Sequence, residues 1–190
     1  SVTTLKVVRI KDANAGSPLN YLGVETTGLT ADLIGLESIL QFHAADVNVK
    51  VNKATDSDGN PATNPNKLDW STLATSGLTL ASLDIEETLD VHADGDVALN
   101  ALSGVLVASG SFSLDLGQVS TTAASNGVSF TNASAVSIML SGATVFVGTG
   151  GSLSDATATA AVQNGSLGFR GSVTTLKVVS IKDLNGGSPL

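Results

Sequence analysis

The chain contains no cysteine, which excludes disulfides, thiolate metal ligands and cysteine nucleophiles. Aromatic residues make up only 4%, with a single Trp and a single Tyr. A core must therefore be built from Val, Leu, Ile and Ala, which suits thin sheet layers better than a bulky interior. The pair Glu86-Glu87 offers the residue types for glycoside hydrolysis, but the aromatic stacking platforms expected beside them are nearly absent. Charge is also scarce, at 14%, and unbalanced: 9 Lys and Arg against 17 Asp and Glu, a formal net charge of −8. That balance argues against nucleic acid and against anionic membrane surfaces as partners. No apolar run approaches the roughly 18 residues of a membrane span, so membrane insertion is not expected. The opening Ser1-Val2-Thr3-Thr4 has no signal-peptide pattern, and a signal, if one exists, is expected outside these residues.

What is present is periodic. Ser1–Leu19 reads SVTTLKVVRIKDANAGSPL and Ser172–Leu190 reads SVTTLKVVSIKDLNGGSPL. Sixteen of nineteen positions are identical, and the mismatches are Arg9/Ser180, Ala13/Leu184 and Ala15/Gly186. Ser1 recurs as Ser172, an offset of 171 (172 − 1). The simplest reading is a tandem array in which residues 1–171 are one unit and 172–190 begin the next. The alternative is a single domain whose two ends pair as similar strands. Val2–Asp12 and Val173–Asp183 are expected to be junction strands, with edges open to neighbouring repeats or to other copies.

A shorter pattern recurs inside the period: an alternating apolar stretch, a Gly- or Ala-containing corner, then a second alternation. It occurs at Ile39–Val51, Val105–Leu116, Ser137–Gly148 and Ser166–Val178. Period-two alternation places one set of side chains on one face, and the corners let a strand bend without losing that alternation. The expectation is an all-β fold, as a β-solenoid or β-helix-like stack of short strands. Two β-sandwich domains in series are the alternative. Helix signal is poor; Leu29–Leu40 contains Gly35 and reads better as strand. The polar stretch Lys53–Lys67, with Pro61 and Pro65, is an excursion from the core, and Trp70 is expected to plug its base.

Two acidic clusters are candidates for Ca²⁺. Asp56, Asp58 and Asn60 lie in the sequence DSDGN, where Gly59 is fourth and the twelfth position is Lys67. An EF-hand needs Gly sixth and Glu twelfth, so it is excluded. A less regular Ca²⁺ site or a solvated Asx-rich turn remain the two readings. Asp90, Asp94 and Asp96, in LDVHADGDV, form the second cluster. No other cofactor is implied. His43 and His92 lie in no zinc spacing, and His43 is expected to face solvent from a strand. No G-x-S-x-G elbow and no phosphate-cradling loop occurs, so an enzyme is not expected.

The stretches Val47–Ala54 (VNVKVNKA), Leu68-Asp69-Trp70, Val97–Asn100 with Ser103-Gly104, and Val145–Leu153 (VFVGTGGSL) resemble modules of giant repetitive bacterial cell-surface and secreted proteins. The likeness covers most of the chain and is one of strand grammar; it carries over no catalytic or binding residues. It implies an extracellular or cell-surface location and a structural, extender role in a fibre. The alternative is an adhesin-type module recognising a glycan, a surface or ice.

Overall fold

In a computed structural model of the chain, residues 1–12, 19–33, 36, 39–56 and 66–183 are described. All of the regular structure among them is β. Six strands follow one another as β1 (Thr4–Asp12), β2 (Leu19–Asp32), β3 (Leu40–Thr55), β4 (Leu89–Ala101), β5 (Leu106–Val119) and β6 (Ala133–Thr149). A short hairpin of β7 (Ser152–Leu153) and β8 (Val162–Gln163) precedes the last strand, β9 (Leu167–Lys182). The main sheet has seven strands in the order β1-β2-β3-β4-β5-β6-β9. Every pairing in it is antiparallel. The sheet does not close: β1 pairs only with β2, and β9 only with β6.

The all-β expectation therefore holds, but stacked solenoid coils are not seen among the described residues, nor are two sandwiches. The reason lies in the corners. The step Ala44-Ala45-Asp46 lies within β3, at a register shift between Ala45 and Asn48, with Asp46 at φ 51°. Gly110 in β5 faces two residues of β6, Gly142 and Ala143, at the shift between Ser109 and Ser111. Gly142 has φ 58°, a left-handed conformation that costs a residue bearing a Cβ roughly 1 kcal/mol or more. These corners are β-bulges inside single long strands, not the ends of coils. They bend the strand while keeping both ladders. Alternation within a segment is the same for a bent strand and for a coil corner, so the sequence pattern could not separate the two.

Register partners share a face, which assigns both sides of the sheet. One row runs Lys6–Glu25–Lys50–His92–Asp115–Ser137–Val179. The adjacent row on the opposite face runs Leu5–Thr26–Val49–Ala93–Leu114–Ile138–Val178, and the next along that face Val7–Val24–Val51–Val91–Leu116–Val136–Ser180. The first face is polar at its centre, and its apolar parts are covered by two chain segments. Over β1–β3 lies the stretch 68–88, whose Trp70, Leu83 and Ile85 form a buried cluster with Val8. Gly23 on β2 makes this approach feasible: a Cβ there would stand 2.5 Å from Leu83 Cδ1 and 2.9 Å from Trp70 Cε2. The β7–β8 hairpin covers the other half, where Val162 packs with Val107 and Phe146. Trp70 thus closes the base of the polar excursion, as its sequence position suggested.

Neither covering segment reaches β9, every residue of which is exposed. The repeated residue Val8 is 6% exposed and its copy Val179 is 62% exposed. Truncation should separate them. Val8→Ala is expected to lower unfolding free energy by about 2 kcal/mol through loss of buried apolar contacts. Val179→Ala is expected to stay within about 0.5 kcal/mol of the parent. Chemical denaturation of the two variants checks this.

Candidate functional site

The residues that distinguish this chain from an ordinary sheet are the two copies of one segment. Thr4–Asp12 and its copy Thr175–Asp183 share every residue except Arg9/Ser180. The first is β1, and the copy through Lys182 is the C-terminal part of β9. Six antiparallel steps separate them. An even number of reversals restores direction, so β9 runs parallel to β1 from the opposite edge. Lys6 and Glu25 are register partners, as are Ser137 and Val179, and the row joining them places Val179 on the face of Lys6. Val8 lies two residues beyond Lys6 and faces the same way. The copied segment therefore presents the same side chains to the same face at both ends of the sheet.

At the first edge those side chains are engaged. Lys6 Nζ donates to Glu25 Oε1 at 3.0 Å, and Glu25 Oε2 accepts the Asp84 backbone N–H at 2.7 Å. Glu25 is 7% exposed. Burial works to raise its pKa, but the Asp84 N–H, Lys6 and Lys50 outweigh it and hold the carboxyl below its ordinary value. Asn52 anchors the covering stretch from β3. Its Oδ1 accepts the Trp70 indole N–H at 2.9 Å, and its Nδ2 donates to the carbonyls of Leu68 at 2.8 Å and Glu86 at 2.9 Å. At the other edge Lys177, the copy of Lys6, has its register partner in Met139 and no carboxylate partner among the described residues.

The candidate Ca²⁺ ligands are distributed differently. Asp58 and Asn60 lie outside the described residues, and Asp56 lies just past the end of β3. Asp90 sits at a register shift between Leu89 and Val91 and accepts from Lys67 Nζ at 2.6 Å. Asp94 and Asp96 are two apart on β4 and share the polar face. Asp94 Oδ2 accepts from Asn48 Nδ2 at 3.0 Å, its Oδ1 meets His92 Nε2 at 2.8 Å, and Asp96 Oδ1 accepts from Ser111 Oγ. Among the described residues no group of three or more metal-ligating side chains converges. Because protein donors already take up these carboxylates, millimolar Ca²⁺ or EDTA is expected to leave the melting temperature unchanged. A rise with Ca²⁺ in differential scanning calorimetry would contradict that.

His92 was missed as a structural element by sequence reasoning, because its partners come from two strands. Its Nδ1 meets Asp115 Oδ1 at 2.6 Å while Nε2 meets Asp94. Both ring nitrogens thus face carboxylates. Partial burial pulls the pKa down, but the bonds and charges of Asp115 and Asp94 prevail and raise it above the ordinary value. The cation gains stabilisation that is whole below the unfolded value of about 6.5 and fades as pH rises through the raised folded value. Melting temperature is therefore expected to fall over that interval, and His92→Asn to flatten the dependence; scans at stepped pH check it.

His43 differs from its expected solvent-facing role. It bonds Asp32 Oδ1 through Nδ1 at 2.7 Å and lines a cleft of about 430 Å³ with Gln41, Asn100, Leu153 and Asp155. The β7–β8 hairpin forms one wall of that cleft, so the sequence of β3 alone could not reveal it. Among the described residues no helix is long and apolar enough to cross a membrane. No family model, no curated protein and no solved structure matches the chain.

Proposed function

We propose that the chain is a structural extender module of a repetitive bacterial surface or extracellular fibre protein. The observation that carries this reading is the placement of the near-identical segments at the two open edges of one sheet, with the same direction and the same face. Each unit thereby presents, at its far end, the strand with which it began. A sheet with two unmatched edges is a hazard for an isolated protein, which is why edge strands are ordinarily short, charged or covered. Here β9 is 16 residues long and carries exposed Phe169, Leu176, Val178 and Val179. Such an edge suits a chain whose neighbour is always at hand. The reading also fits the acidic, cysteine-free composition, which keeps a polymeric extracellular protein soluble without dependence on redox state. The partners are then neighbouring repeats, and no cofactor is required.

The test lies in the parent reading frame. Further copies of the 171-residue unit, set by the offset from Ser1 to Ser172, are expected on either side of this one. A reading frame holding only this single pair of segments, flanked by unrelated sequence, would remove the basis for an extender.

A further inference from the structure

We infer that Thr175–Lys182 is a shared strand, the last of one unit and the first of the next, so that successive units form one uninterrupted antiparallel sheet. This rests on the extender reading and goes beyond it, because extenders are as readily made of separate beads. The occupant of the open β9 edge is then specific: the stretch corresponding to β2 (Leu19–Asp32) in the following copy, with the covering stretch that corresponds to 68–88.

Three features of β1 specify that occupant, and β9 repeats each of them without the partner. The backbone of β1 pairs with β2 from Thr4↔Thr27 to Asp12↔Leu19, whereas β9 pairs on one side only, with β6. A strand carries N–H and C=O groups alternately to both sides, so pairing with β6 leaves the second set free for a β2. Lys6 meets Glu25, and Lys177 projects from the same face with no such carboxylate. Val8 and Ile10 pack against the cluster of Trp70, Leu83 and Ile85, whereas Val179 and Ile181 are 62% and 46% exposed. The differences between the copies respect these contacts. Arg9/Ser180 is on the opposite face, where Arg9 bonds Asn20 at an exposed position. The other two mismatches fall between β1 and β2 in the sequence.

Separate beads would explain none of this. A bead would cap its final strand, and its successor would need a first strand of its own. Here the chain has one strand for both purposes, displaced by six strand positions, or about 29 Å per unit at the usual strand spacing.

The experiment compares this chain with one extended past Leu190 by a second copy of residues 20–190. In the present chain, amides of Val173–Lys182 that point away from β6 should exchange with deuterium quickly, and those pointing toward β6 slowly. In the extended chain both sets should be slow. Val179→Ala, silent in the present chain, should lower the denaturation midpoint of the extended chain about as much as Val8→Ala does. Outward amides that stay fast beside a folded second copy would overturn the proposal. A second copy that stays unfolded would overturn it too, since the shared strand supplies everything the first copy has. Solution scattering separates the two levels of argument. A chain that lengthens while its outward amides stay fast retains the extender reading and loses the shared strand. A chain that shows protection without lengthening loses both the extender reading and the uninterrupted sheet.

Discussion

A strand in a pleated sheet has hydrogen-bonding groups along both of its sides, and only closure or a neighbour can satisfy the outermost rows. This constraint governs the whole molecule. The sheet runs from β1 to β9 without closing, so its two borders must be managed. At the first border, a folded-over stretch carrying Trp70, Leu83 and Ile85 covers the side chains, and Glu25 and Asn52 hold it in place through charge-assisted and amide hydrogen bonds. At the last border nothing comparable exists among the described residues. The asymmetry is not one of sequence, since the strands at the two borders are copies. It arises because the covering stretch lies over β1 and β2, while β9 has β6 alone.

The covering stretch shows how a sheet poor in aromatics builds a core. One indole, placed where Gly23 leaves room for it, serves as a broad lid over small aliphatic side chains. Its N–H would be costly to bury alone, and Asn52 accepts it. The same asparagine fixes the carbonyls of Leu68 and Glu86. A single buried amide therefore ties both ends of the lid to the interior strand β3. On the other half of the sheet the β7–β8 hairpin does the same work with Val162 and Phe146.

Much of this was legible in the sequence. Alternation placed β3, β5, β6 and β9, the poor helix signal pointed away from helices, and Trp70 was correctly placed at the foot of the polar excursion. The repeat identified both border strands by residue. What alternation cannot convey is how strands connect in space: Asp46 and Gly142 mark bends in both a coil and a bulged strand. The polar row was also illegible, because Glu25, His92 and Asp115 are far apart in the chain and meet only through register. Glu25 could have been suspected, since a lone acid in an apolar alternation asks for a cation, and Lys6 sits in the repeated block. Asp94 and Asp96 were legible as oxygen donors, but their neighbours were not: pairing with β3 and β5 brings Asn48 and Ser111 to them.

The number of strand-to-strand steps between the copies is even, and this has a consequence for how such a chain can evolve. Loss of one strand would turn the next copy upside down and exchange its two faces' surroundings, so that its lid would have nowhere to lie. Loss or gain of a whole hairpin would leave polarity intact. A tandem array of such units would therefore be free to vary in unit length only in steps of two strands, by paired insertions with no odd rungs.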